Sequence, residues 1–140
     1  MGTINRERII ALTGEAEKAL LQLSQYVTIP ASEILASSER LGNIKYQFIV
    51  AIEGCIDICQ HIGSRLFAEV PEAYAQCFDV LRENKVISPE TAEHMSELAK
   101  FRNLLVHLYW KVDDARVVGM LSQTPSITKY LREIAAFCKL

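Results

Sequence analysis

The stretch Ser37–Gly63, SSERLGNIKYQFIVAIEGCIDICQHIG, decides the fold. Leu41, Ile44, Phe48, Ala51, Cys55, Ile58 and Ile62 recur by threes and fours, the period of one face of an α-helix. Ile49, Val50, Ile52 and Ile56 widen that stripe. A helix apolar over most of its circumference is a central or interface helix. Ser37 or Ser38 supplies an N-cap, and Gly63 is placed as a C-terminal stop. Gly54 lets a neighbouring helix approach closely. Lys45, Gln47, Glu53, Asp57 and Gln60 interrupt the run Ile44–Ile62, which excludes a transmembrane helix.

Toward the N-terminus, Asn5 is a suitable cap for a helix whose inward positions are Ile9, Leu12, Ala16, Ala19, Leu23 and Tyr26. Thr28-Ile29-Pro30 ends it, and Ser32 caps a short turn through Leu35. Toward the C-terminus, Val70-Pro71-Glu72 opens a helix carrying Tyr74, Cys77, Phe78 and Leu81, closed by Asn84-Lys85. Ser88-Pro89-Glu90 opens another, predicted to run through Met95, Leu98, Phe101, Leu105 and Leu108 to Val112. Asp113 or Asp114 caps a short helix through Leu121. Thr124-Pro125 starts the last helix, with Ile127, Tyr130, Leu131, Ile134, Phe137 and Cys138 inward. No segment alternates as a strand does. The chain reads as all-α, a single domain over residues 1–140: an up-and-down helical bundle of four main helices plus one or two short helices.

Composition narrows the function. The 140 residues carry a net charge of −2 and a pI near 5.9, without the basic field of a duplex-DNA binder. Half the residues are hydrophobic, more than one small core needs, which points to an oligomer interface. Met1–Glu7 lacks the apolar core of a signal peptide, and the reading is a cytoplasmic protein with no membrane contact. Cys55, Cys59, Cys77 and Cys138 have no CxxC pairing and no histidine at ligand spacing, so they read as buried free thiols.

The chemistry lies in Arg102-Asn103-Leu104-Leu105-Val106-His107-Leu108-Tyr109. On a helix continuing to Val112, Leu98, Phe101, Leu105, Leu108 and Val112 make the inward stripe, and Arg102 and Tyr109, seven apart, share a flank. Arg102 and His107 fall roughly 140° apart, too divergent to meet on one atom unaided. A second copy of the helix across a two-fold axis would close the gap. Arginine brings a permanent charge and a planar donor fork suited to phosphate. Histidine titrates near neutrality and can move a proton either way. At a phosphodiester the pair suffices for RNA cleavage without a metal or other cofactor: the imidazole handles the 2′-hydroxyl or leaving-group proton, and the guanidinium stabilises the added charge on phosphorus.

RNLLVHLYW resembles the HEPN superfamily, whose motif is an arginine, four to six residues, and a histidine, and more narrowly the HepT-like (DUF86) toxins. The segments Ala51–Ile62, Pro71–Ser88 and Val106–Asp113 resemble that family too, so the likeness covers nearly the whole chain. It implies a HEPN-like bundle acting as a homodimer with the two motifs in an interface cleft. It implies an endoribonuclease toxin of a type VII-like toxin–antitoxin pair, with RNA as substrate. Arg102 and His107 carry over as the catalytic pair and Asn103 as a supporting polar residue. Tyr109 carries over as the hydroxyl adenylylated by an MNT-type nucleotidyltransferase antitoxin, which would place anionic phosphate beside Arg102.

Glu53, Asp57 and His61 form a polar line on the long helix, either facing Arg102 or solvated, with Glu53 the best candidate to orient the guanidinium. His94 and Lys100 read as surface residues. Trp110 reads as packing against a neighbouring helix or a second subunit, with base stacking as the other option. The alternative to an enzyme is a non-catalytic nucleotide- or RNA-binding subunit that partners a nucleotidyltransferase. A purely structural dimerisation module leaves the Arg–His–Tyr set unexplained.

Overall fold

The computed structural model describes residues 2–69, 71 and 73–140. Among these the chain is all-α. Helix α1 spans Arg6–Ser24, α2 Ala31–Leu35, α3 Ser38–Leu66, α4 Tyr74–Glu83, α5 Pro89–His107, α6 Asp114–Gly119 and α7 Thr124–Cys138; 3₁₀ turns cover Tyr109–Lys111 and Met120–Gln123. The long helices α1, α3, α5 and α7 close a ring of contacts, α1 lying along α3, α3 on α5, α5 on α7, and α7 back on α1. This is the expected bundle of four main helices. The 10-residue α4 covers α3 and α5, and α2 and α6 close one end together.

The caps follow the sequence. Asn5 Oδ1 accepts from the Arg8 amide at 3.1 Å and Ser37 Oγ from the Arg40 amide at 3.2 Å. Ser88 Oγ accepts from the Thr91 amide at 3.2 Å and Asp113 Oδ1 from the Ala115 amide at 3.0 Å. Each satisfies one of the amides that a helix start leaves without an internal partner. The α5 start has a second support: Glu133 of α7 accepts from the Ser88 amide at 2.7 Å and from the Thr91 hydroxyl.

The inward positions of α3 are buried as expected, and so are all four cysteines, as free thiols. Phe48 meets Phe101 edge to face with centroids 5.4 Å apart, and Phe78 meets Tyr130 at 5.5 Å. Tyr130 is fully buried, and its hydroxyl donates to the Cys55 carbonyl at 2.9 Å, which removes the cost of hiding a phenol. At Gly54 an added Cβ would lie 3.3 Å from Ala16 Cβ and 3.4 Å from the Leu12 carbonyl oxygen, so the glycine does set the approach of α1 to α3.

Several boundaries differ from the sequence reading. α3 runs three residues past Gly63 to Leu66, and the chain reverses at Ala68, which takes a φ of 52°. Gly63 serves contact instead: an added Cβ would meet the Glu69 carbonyl oxygen at 3.1 Å. Pro30, not Ser32, stands at the N-cap of α2. α4 begins at Tyr74 behind Ala73; of the expected start, Val70 and Glu72 lie outside the described residues. Phe137 sits at the rim, more than a third exposed. The largest difference is α5, which ends at His107 rather than near Val112. Leu108 leaves helical geometry with φ −128° and ψ 35°, and it is exposed where the wheel turned it inward. Among the described residues no helix is long and apolar enough to cross a membrane.

Candidate active site

Arg102 lies in the last turns of α5, where that helix crosses the middle of α3. Its side chain is only 13% exposed. Nη2 donates to Glu53 Oε1 at 2.6 Å, Nε donates to the same oxygen at 3.2 Å, and Nη1 donates to Asn103 Oδ1 at 3.0 Å. The Tyr74 ring of α4 covers the guanidinium, its centroid 5.2 Å from Cζ. Of the five guanidinium N–H groups two remain, on Nη1 and Nη2, for an incoming oxygen. The arrangement is a cation held in one orientation by a carboxylate, an amide and an aromatic face.

His107 occupies the last turn of α5 and is exposed, and among the described residues its ring makes no hydrogen bond. The four residues between it and Arg102 turn the two side chains apart. Within one chain, Arg102 points onto α3 while His107 faces outward.

Tyr109 is not on the flank of Arg102. With α5 ended, the 3₁₀ turn carries the phenol toward the first turns of α3. Lys45 Nζ sits 4.8 Å from its ring centroid, and an added Cβ on Gly42 would lie 3.7 Å from its hydroxyl oxygen. Lys45 and Glu53 are eight residues apart on α3, about 12 Å along its axis. Tyr109 and Arg102 therefore address different levels of the same helix. Lys45 is 9% exposed, and its ammonium pairs with Asp114 Oδ1 at 3.1 Å.

The polar line on α3 divides. Glu53 meets Arg102. Asp57, one turn on, lies exposed between Arg8 and Arg102; burial and the neighbouring Glu53 raise its carboxyl pKa, and the two arginines oppose that rise. His61 is nearly buried and points the other way, its Nε2 accepting from the Asn5 amide at 2.9 Å. Burial, then Arg65 and Arg8, hold its pKa below the usual histidine range. Arg8, Asp57, Gln60, His61 and Ser64 frame a shallow polar recess of about 290 Å³. His94 is half-buried beside the Ser126 hydroxyl, and Lys100 pairs with Glu97 at the surface. Trp110 is 77% exposed. With Val106, Leu108 and Tyr109 it forms an apolar surface around His107. Among the described residues no three His, Cys, Asp or Glu side chains converge as a metal set.

The sequence reading passed over Lys45 and Tyr74. Lys45 had a signal: it stands four residues after Leu41 and three before Phe48, on the inward stripe, where a lysine needs a partner. Tyr74 had none beyond its core spacing.

A family model described as Ribonuclease HepT-like matches residues 16–134 of this frame. The chain belongs to the Ribonuclease HepT-like family. Among curated HepT-like and related proteins, one from Archaeoglobus fulgidus named "Putative RNase" is 24% identical over 132 residues, covering 94% of this chain and 93% of the relative. The "mRNA nuclease HepT" of Shewanella oneidensis is 28% identical over 61 residues, 44% of this chain and 46% of that protein. Among solved structures, the Bacillus subtilis cytosolic protein of unknown function YutE superposes with a TM-score of 0.86 at 16% identity, covering 99% of this chain and 94% of the other. A tri-AMPylated Shewanella oneidensis HEPN toxin in complex with MNT antitoxin superposes at 0.83 with 20% identity, covering 92% and 97%. At these identities the superpositions establish a shared helical fold.

Proposed function

We propose that this single-domain chain is an endoribonuclease toxin of the cytoplasm that cleaves RNA without a metal, using Arg102 and His107 at a homodimer cleft. The observation that carries the reading is the tethered Arg102 guanidinium. Glu53 and Asn103 hold it with two N–H groups spare, five residues before a solvent-facing imidazole, in a chain of a ribonuclease family. His107 takes the proton of a 2′-hydroxyl, and the resulting oxygen attacks the adjacent phosphorus. Arg102 stabilises the charge that builds on the non-bridging oxygens, and the 5′-oxygen leaves. Glu53 and Asn103 act on the reaction by orienting Arg102. The second protomer supplies the missing wall, since the apolar surface of Val106, Leu108, Tyr109 and Trp110 surrounds His107. Tyr109 is the acceptor for nucleotidyl groups transferred by an MNT-type partner. Its support is the motif position, an exposed phenol and the tri-AMPylated state of the Shewanella toxin.

The test is incubation of the purified protein with RNA in excess chelator, beside His107→Ala. Wild type yields fragments ending in 2′,3′-cyclic phosphate, and His107→Ala loses cleavage by a factor of about 100 or more. Equal cleavage by both proteins, or none by either, refutes the assignment. RNA binding that requires Arg102 without any cleavage selects the non-catalytic binding subunit instead.

A further inference from the structure

Lys45 is a cation nine-tenths buried in α3 with no part in the chemistry at Arg102. A buried ammonium is costly unless paired, and Asp114 Oδ1 pairs with it at 3.1 Å. Its other neighbour is the face of Tyr109, 4.8 Å away. The residue one turn earlier on α3 is Gly42, and the tyrosine hydroxyl lies against it: an added Cβ would sit 3.7 Å from Oη. A phosphorus bonded to Oη thus emerges beside α3, within a side-chain rotation of the Lys45 ammonium and about 12 Å along the helix from Glu53 and its Arg102.

We propose that Lys45 is the positioning residue for nucleotidyl transfer to Tyr109 and the counter-ion of the phosphodiester so formed. The inference rests on the reading of Tyr109 as the acceptor. The co-reactant is a nucleoside triphosphate held by the partner enzyme. Tyr109 Oη attacks the α-phosphorus, the Oη–P bond forms, and the bond to the β-phosphate oxygen breaks. Pyrophosphate leaves with the electron pair, and the phenolic proton passes to solvent or a base of the partner. Before transfer, Lys45 fixes the ring over α3 with the hydroxyl beside Gly42. During transfer its ammonium swings from Asp114 to the phosphoryl oxygens, where positive charge counts most as negative charge builds. The swap is isoelectric for Lys45, one anion replacing another, so the buried cation is never left bare.

The experiment measures transfer to Tyr109 by mass spectrometry, with ATP and the cognate nucleotidyltransferase, for wild type, Lys45→Met, Lys45→Arg and Asp114→Asn. Lys45→Met lowers kcat of transfer about tenfold or more, with KM for ATP unchanged because ATP sits on the partner. Lys45→Arg recovers most of the rate. Asp114→Asn transfers at the wild-type rate or faster, because the ammonium is freed for the phosphate; a merely structural ion pair would make it fail together with Lys45→Met. RNA cleavage by unmodified Lys45→Met stays at the wild-type level. Should thermal melting show Lys45→Met unfolded, Asp114→Asn decides alone, and a fall in its rate overturns the proposal. Equal transfer by wild type and folded Lys45→Met overturns the role of Lys45 and spares Tyr109 as acceptor. A wild type that takes no nucleotidyl group on Tyr109 overturns the acceptor reading and this inference with it.

Discussion

Two histidines of one sequence class end in opposite roles, and their neighbours explain it. His107 stands in solvent at the end of α5. His61 must stay neutral, because its Nε2 is the acceptor for the Asn5 amide at the start of α1. Burial first, then Arg65 and Arg8, lower its pKa in the folded chain. The unfolded chain therefore takes up the proton first as pH falls. The contribution of His61 is whole above the unfolded value of about 6.5 and is lost as pH falls through the lower folded one. Melting temperatures measured from pH 7.5 down to 5 should fall more steeply for wild type than for His61→Gln, whose amide oxygen accepts the same bond without titrating. The lost bond is worth about 1 kcal/mol, roughly 3 °C in a domain of this size. None of this was legible in the sequence, where His61 stood simply as the third member of a line with Glu53 and Asp57. Helical spacing places residues on a common edge; it does not say that α5 meets the line at its first member and α1 at its last.

At the scale of the element, α1 and α3 were legible and the end of α5 was not. Caps and inward stripes are local, and Asn5, Ser37 and Ser88 all cap where their side chains predict. The stop after His107 is not local: no Gly or Pro occurs from Thr91 to Val118, and the apolar period continues to Val112. The helix breaks where Tyr109 is drawn to Lys45 and Val112 is pulled into the core ahead of the Asp113 cap. The consequence reaches the site, since a continuous helix would have set Tyr109 beside Arg102. The contact of α1 with α3 is the opposite case, announced by Gly54. With Ala16 Cβ only 3.3 Å from where a side chain would begin, Gly54→Leu must push the two helices apart. Overpacking of this kind costs about 1–3 kcal/mol, a loss of roughly 3–10 °C in the melting temperature by circular dichroism. The Glu53–Arg102 pair lies between α3 and α5, so RNA cleavage well below the melting point should survive the change.

For the whole molecule the decisive quantity is the divergence of Arg102 from His107 along α5. Arg102 is committed to α3 by Glu53, and His107 faces outward from an exposed apolar surface of Val106, Leu108, Tyr109 and Trp110. The proposed homodimer cleft predicts that joining two such surfaces about a two-fold axis pairs the imidazole of one protomer with the guanidinium of the other, giving two shared sites per dimer. Subunit mixing tests this directly. On the proposed mechanism, Arg102→Ala and His107→Ala should each be inactive alone. In a mixed dimer with shared sites, one site carries both defects and the other carries none. Refolding the two variants together at equal amounts makes half the dimers mixed, so activity should return to about one quarter of wild type. If instead each protomer holds its own Arg102 and His107 in one site, every site in the mixture carries a defect and no activity returns. Cleavage of a labelled RNA by the mixture, compared with each variant alone, separates the two arrangements.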